Sequence, residues 1–463
     1  MEKIAIIGVG YVGLVTGTCL AELGNHVTCI DLDKEKIEQL NQGIAPIYEP
    51  NLNTHIQKNI AEKRLLFSTN LAKALISHDI VIVCVGTPMD DDGSADMSDY
   101  FSVLKAIADF IKDTRPVSRK IIVNKSTVPV GTGKKAELFL LENGVYLSEF
   151  SIVSNPEFLR EGSAVHDFFH PDRIIIGGND TESVKRVQSI YRSLYRSRNP
   201  IMLTSIEAAE LTKYAANAFL ATKISFVNEI ANLCDTLNID VSQVTKGIGA
   251  DNRIGRYFLH PGPGYGGACF PKDTQALAFI GKENGVDLKI VNAAIEINNN
   301  QVGIIVEKIR SLVGDLTGKH IGLLGLSFKP ETDDIRNAPA LALIELLLQE
   351  GCSISAYDPV AMPNTQAEIG ARIQYAKDSY HAANDANAVV LMTEWNQFRL
   401  LDLQKLADVV REKNFVDARN VYEVRAMHDH GFSYRGVGRH SSDGEKTVHL
   451  EDIELSYGGL SDF

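Results

Sequence analysis

Gly264-Tyr265-Gly266-Gly267-Ala268-Cys269-Phe270-Pro271-Lys272-Asp273 is the run of this chain with the clearest chemical potential. Glycines let a backbone approach a ligand closely. Here they deliver a thiol, Cys269, with Lys272 and Asp273 close behind it. A cysteine attacks as its thiolate, and neighbouring positive charge favours that form. The competing reading is a structural thiol buried in a tight turn, since free cysteine is among the most buried residue types.

A second chemical signature opens the chain. Lys3-Ile4-Ala5-Ile6-Ile7 reads as a buried strand, Gly8-Val9-Gly10-Tyr11-Val12-Gly13 follows at once, and a helical pattern runs from Leu14 to Leu23. A GxGxxG turn between strand and helix binds a dinucleotide. Its glycines allow the tight turn and close contact with a pyrophosphate, and the helix N-terminus offers free N–H groups. A second strand, His26-Val27-Thr28-Cys29-Ile30, ends at Asp31, eighteen residues after Gly13. An acid at that place accepts hydrogen bonds from the adenosine ribose and repels a 2′-phosphate, which favours NAD over NADP.

The elements that must position these groups are legible as apolar runs. Asp79–Val85 is a strand ending in Gly86-Thr87-Pro88, and Lys120–Asn124 is another ending in Lys125-Ser126-Thr127-Val128-Pro129. Ligands of open α/β sheets sit at the carboxyl ends of strands, so both endings suit cofactor or substrate. Ordinary strand-ending turn chemistry is the alternative for each. Met89–Met97, with four aspartates, reads as a solvated surface loop.

From Thr204 to about Asp240 there is neither glycine nor proline, and Thr204-Ser205-Ile206-Glu207 matches a capping box. About 30 residues of helix span about 45 Å, enough to bridge two domains. Lys213 and Asn217 lie i, i+4 on one face of it. A solvated lysine beside an incidental asparagine is the competing reading.

A second α/β unit follows, with strands at Lys319–Gly325, Ser353–Tyr357, Ala388–Met392 and Asn414–Asp417. An acid, Asp358, again follows its second strand, but Gly325-Leu326-Ser327-Phe328-Lys329-Pro330 replaces the glycine fingerprint. We read a Rossmann-like domain for a different nucleotide. The expected fold class is α/β, two Rossmann-like doubly wound domains joined by a long central helix. The expected divisions are residues 1–203, 204–300 and 301–440, with an acidic, flexible tail at 441–463.

The 463 residues carry a formal net charge of −13, which argues against a nucleic-acid partner or an acidic membrane surface. No signal peptide and no apolar run of membrane-spanning length is visible. Six cysteines without a C-x-x-C pair suggest single buried thiols in a reducing cytoplasm. His166 with His170, and His428-Asp429-His430, lack the further ligands of a metal site, so no metal is expected.

Several motifs in order resemble the UDP-glucose/GDP-mannose dehydrogenases over roughly residues 1 to 440. They are Gly8–Gly13, Gly86-Thr87-Pro88, Ser126–Thr132, Asn155-Pro156-Glu157-Phe158-Leu159-Arg160-Glu161-Gly162, Lys213 with Asn217, the cysteine loop, and Ser327-Phe328-Lys329 with Arg336. The resemblance implies oxidation of a sugar-nucleotide primary alcohol to a carboxylate with two NAD+ in sequence. It implies Lys213 at the reacting oxygen, assisted by Asp273 and Thr127. It implies Cys269 as the group that captures the aldehyde, Glu157 as the base for thioester hydrolysis, and Lys213 with Asn217 around the oxyanion. For NAD it implies Gly8, Gly10, Val12, Gly13, Asp31, Lys36, Thr87, Thr127, Glu161 and Arg336. For the sugar nucleotide it implies Phe158, Leu159, Arg160, Lys213, Asn217, Phe258, Leu259, Gly266, Lys329 and Arg419, with Arg253 reaching across from a partner subunit. The long helix builds a homodimer or larger homo-oligomer in this family.

The runs Cys269–Asp273 and Phe258–Gly262 look more like the members acting on UDP-glucose, with GDP-mannose or another nucleotide sugar as the alternative. A nucleotide-sensing protein without catalysis is the reading from another class. The joint presence of Cys269, Lys213, Asn217, Glu157 and Asp273 speaks against it, because binding needs no thiol.

Asp31 generates the first prediction. NAD+ should be strongly preferred over NADP+, since a 2′-phosphate would face a carboxylate at a cost of a few kcal/mol, roughly. Steady-state kcat/KM for the two cofactors checks this, and equal values would refute it.

Overall fold

Ile80–Val83 and Lys120–Asn124 are buried at every position, as strands covered on both faces must be. They lie at the centre of an eight-stranded sheet in the computed structural model, which describes residues 1–194 and 200–439. The tail expected after residue 440 falls outside the described residues.

The sheet is built from β1 (Lys3–Ile7), β2 (His26–Ile30), β3 (Leu65–Ser68), β4 (Ile80–Val83), β5 (Lys120–Asn124), β6 (Phe150–Ser154), β7 (Ile174–Gly178) and β8 (Ile201–Thr204). Their order is β3-β2-β1-β4-β5-β6-β7-β8, parallel except where β7 turns antiparallel to β6. The first six strands have the dinucleotide-fold order, and the reversal between β1 and β4 opens the ligand crevice beside the glycine turn.

The second sheet joins β9 (His320–Leu324), β10 (Ser353–Tyr357), β11 (Gln374–Tyr375), β12 (Ala388–Leu391), β13 (Asn414–Asp417) and β14 (Ser433–Gly436). Its order, β11-β10-β9-β12-β13-β14, repeats that of the first six strands and is parallel throughout. The two Rossmann-like sheets expected from the sequence are therefore present, each over its own apolar core.

Between them runs the helix Ile206–Leu237, of 32 residues, packed against the helices Phe270–Glu283 and Lys289–Val313. Its cap differs from the expected box by one residue. Ser205, not Thr204, is the N-cap, and its Oγ accepts from Ala208 N at 3.2 Å. Thr204 is still engaged as the last residue of β8. Among the described residues no helix is long and apolar enough to cross a membrane.

The glycine turn has three distinct constraints. Gly8 has φ +90°, and a Cβ there would lie 2.9 Å from the Cys84 carbonyl. A Cβ on Gly13 would lie 1.9 Å from the Gly8 carbonyl oxygen. Gly10 has nothing within 4 Å of its virtual Cβ, so space remains clear where a ligand would approach.

These constraints separate two substitutions. Gly13→Ala should destabilise the protein by about 1–3 kcal/mol through overpacking. Gly10→Ala should cost less than about 1 kcal/mol as a poorer helix cap, yet weaken cofactor binding. Urea denaturation and NAD+ titration of the two variants check this pair of outcomes.

Candidate active site

Lys213 on the long helix and Glu157 in the loop after β6 form a buried ion pair, Nζ to Oε1 2.8 Å, with each side chain 5% exposed. Burial works to raise the Glu157 carboxyl, but the Lys213 ammonium and the Leu159 N–H, 2.6 Å from Oε2, overturn this and hold it below the ordinary range. Burial works to depress Lys213, and the Glu157 carboxylate outweighs it, so the lysine titrates above its ordinary value. At neutral pH the pair is cation and anion. The reading of Lys213 as a solvated surface lysine fails on burial.

One turn further on, Asn217 donates Nδ2 to Asp273 Oδ2 at 2.6 Å. Asp273 is fully buried in the first turn of the helix Phe270–Glu283, whose N-cap is Cys269. The i, i+4 spacing thus sets both side chains on the face that meets the cysteine. The half-buried thiol is pushed up to about 12, by burial first and by Glu157 next, with Lys213 acting in the opposite sense. Lys272 acts on the thiol in the expected sense, toward the thiolate, but it donates to Asp273 Oδ1 at 2.5 Å, and burial with the Glu157 and Asp273 carboxylates outweighs it. The balance leaves the resting group a thiol.

The glycine loop that carries Cys269 is clamped from both sides. Asn298 accepts from Tyr265 N at 2.7 Å and donates to Tyr265 O at 3.1 Å. Asn228 and Gln301 hold the N–H and carbonyl of Gly262. On the other side Gly267 N donates to Arg336 O at 2.9 Å, and a Cβ on Gly266 would lie 2.2 Å from Asn337 O. Sequence reasoning found Gly266 but not these amides, whose fold-wide partners leave no local pattern.

At the crevice, Asp31 Oδ2 accepts from Val9 N at 2.8 Å and from Lys36 Nζ at 3.2 Å. Burial opposes ionisation of Asp31, but the N–H groups of Asp33 and Val9 with Lys36 prevail and lower it. Val12 lies in the first turn after Gly10, and Thr87 Oγ1 donates to Thr127 O at 2.8 Å. The clear space at Gly10, the helix N-terminus and the ionised Asp31 fit a dinucleotide. Glu161 and Arg336 meet at 3.5 Å across the two outer domains. Burial and the Asp334 carboxylate push Glu161 up to about 8.

The remaining expected residues divide. The Phe158 ring lies between Arg173, 4.0 Å from its centroid, and Lys213 at 5.4 Å, so Arg173 joins the site without having been anticipated. Leu259 is buried, and Phe258 before it adopts φ +62°. Lys329 is half-buried beside the Phe328 ring, and Arg419 donates to Met392 O and Phe328 O. Arg160 is drawn to Asp167 at 2.6 Å. Arg253 stands in solvent, 90% exposed and bonded to Asp251.

Glu210, one turn before Lys213, was also not anticipated. Its carboxylate accepts from Gly131 N at 2.7 Å and Gly133 N at 2.8 Å, at the start of the helix Thr132–Glu142. It fastens the Thr127 loop to the helix that carries Lys213. Its i, i+3 spacing from the lysine was the available signal.

Three family models match the chain. They are the UDP-glucose/GDP-mannose dehydrogenase family NAD binding domain over residues 2–195, the central domain over 207–300, and the UDP binding domain over 322–424. The UDP-glucose 6-dehydrogenase TuaD of Bacillus subtilis is 43% identical over 439 residues, 95% of this chain and 94% of that protein. The solved UDP-glucose dehydrogenase of Pyrobaculum islandicum superposes with a TM-score of 0.87 at 36% identity, covering 95% of this chain and 98% of that one. The GDP-mannose dehydrogenase of Pseudomonas aeruginosa superposes with a TM-score of 0.53 at 29% identity, covering 94% and 99%.

The ion pair yields a prediction with a pH sign. Glu157→Gln leaves Lys213 buried without its carboxylate, at a cost of about 3–5 kcal/mol at pH 7. The lysine then titrates lower in the folded than in the unfolded protein. The deficit should therefore shrink as pH rises toward the unfolded lysine value of about 10.4. Urea denaturation at pH 7 and pH 9.5 checks both size and direction.

Proposed function

Because the chain belongs to the UDP-glucose/GDP-mannose dehydrogenase family of NAD-dependent oxidoreductases, we propose that it oxidises C6 of UDP-glucose to the carboxylate of UDP-glucuronate in two successive steps. The observation that carries this reading is the convergence of a buried Lys213–Glu157 pair and the Asn217–Asp273 pair on one thiol. The N-terminal domain (1–203) holds the cofactor and the C-terminal domain (301–440) the UDP group. NAD+ bound at the glycine turn supplies the hydride acceptor for both oxidations.

Lys213 holds the alkoxide that develops as the hydroxyl proton passes to water, with Asp273 and Thr127 assisting through hydrogen bonds. Cys269 then captures the aldehyde. A sulfur–carbon bond forms and the thiol proton passes to the carbonyl oxygen, which suits a resting thiol rather than a thiolate. After oxidation of this thiohemiacetal to the thioester, Glu157 takes a proton from water as the oxygen attacks the acyl carbon. Lys213 and Asn217 stabilise the tetrahedral oxyanion, the carbon–sulfur bond breaks, and Cys269 regains a proton.

The exposed apolar side chains Leu211, Phe219, Phe226, Leu233 and Leu237 leave one face of the long helix without cover in the single chain. A second copy seated there makes the enzyme at least a dimer and gives the solvent-exposed Arg253 a partner site to reach. Light scattering should return a mass of two chains or more. The free buried thiols suit a reducing compartment such as the cytoplasm.

Incubation with UDP-glucose and NAD+ should release two NADH per sugar. Cys269→Ser should retain less than about a tenth of the rate, a loss above ~1.4 kcal/mol in transition-state stabilisation, with cofactor binding intact. Absorbance of NADH against a panel of nucleotide sugars checks both. Faster turnover of GDP-mannose, or one NADH with free aldehyde, would overturn the assignment.

A further inference from the structure

Lys125, directly after β5, is 5% exposed, and no carboxylate among the described residues lies within ion-pairing distance of it. Its Nζ is held only by neutral groups: Asn155 O and Oδ1, both at 3.3 Å, and the Tyr191 hydroxyl at 3.4 Å. The Tyr191 ring centroid lies 5.9 Å away. A buried ammonium without a counter-ion is costly and is retained only for a reason. Asn155 is two residues before Glu157, so Lys125 grips the strand end that presents this carboxylate.

The charges around Glu157 show what Lys125 can do. Lys213 faces it from the long helix, Cys269 from the cysteine helix, Cys84 from the end of β4, and Arg173 from the loop before β7. Arg173 is attended by Asp172 and stacks on Phe158. Lys272 is neutralised by Asp273, and at rest Lys213 is neutralised by Glu157. An oxyanion arriving at Lys213 leaves two anions sharing one cation in a buried pocket. Lys125 is a buried cation without a carboxylate of its own among the described residues, and it already acts on Glu157 in the sense that keeps the carboxylate ionised.

We propose that Lys125 is the standing counter-ion of Glu157, a positioning residue that keeps this carboxylate charged while Lys213 serves the oxyanion, and so sustains hydrolysis of the acyl-cysteine. The proposal rests on the reaction above. It assigns Lys125 to the hydrolytic step and not to the first oxidation.

Lys125→Met removes the charge and keeps the length. It should melt no lower than wild type, because an unpaired buried cation is replaced by an apolar side chain. The first NADH per site should appear at the wild-type rate in stopped flow. Steady-state turnover at pH 7 should fall at least tenfold, and intact-protein mass should show UDP-sugar acyl adduct on Cys269. Without the cation Glu157 holds its proton to higher pH, so the defect should shrink between pH 7 and pH 9. Lys125→Arg should accumulate less adduct than Lys125→Met. Wild-type turnover without adduct in Lys125→Met would overturn the proposal, as would its failure to fold, which would mark a structural lysine. Absence of two-NADH turnover in the wild type would instead overturn the reaction itself.

Discussion

Everything at the candidate site depends on the ion pair between Lys213 and Glu157. It joins the first domain, through the loop after β6, to the long helix that belongs to neither outer sheet. Burial makes each member dependent on the other, since an unmatched charge in that place is expensive. The same helix turn adds Glu210 on one side and Asn217 on the other. Three side chains, at 210, 213 and 217, thus tie the Thr127 loop, the Glu157 loop and the cysteine helix to one rigid rod. The Thr127 loop, the buried ion pair and the thiol are positioned relative to a common axis.

The long helix could be read in advance because it lacks glycine and proline and is amphipathic. The strands bordering the crevice could be read because they are continuous apolar runs ending in glycine, proline or threonine. Asp31 followed from its distance along the chain from the glycine turn. β11, of two residues, and the half-exposed β8 carry too little pattern to be seen. The cap of the long helix was misplaced by one residue because Thr204 and Ser205 are both competent caps, and strand pairing of Thr204 decides between them.

Within the site, motif order brought the main residues to notice, but electrostatics did not follow from adjacency. Lys272 stands near Cys269 in sequence, yet its ammonium turns to Asp273. Lys213, 56 residues away from its partner in the chain, is the cation that matters to Glu157. Arg173, Glu210 and the amides of Asn228, Asn298 and Gln301 are ordinary polar residues in sequence. Only the fold makes them neighbours of Phe158, the Thr127 loop and the glycine loop.

The protonated state of Cys269 at rest has a consequence outside the reaction. Peroxides and other oxidants attack thiolates far faster than thiols. An idle molecule therefore keeps Cys269 in a form that such oxidants scarcely touch. In the proposed reaction, exposure to oxidative damage is confined to the moments when sulfur carries charge, as when the acyl group leaves. On that reaction, inactivation by peroxide scales with the number of catalytic cycles completed, and a pool of enzyme without substrate outlasts one at work.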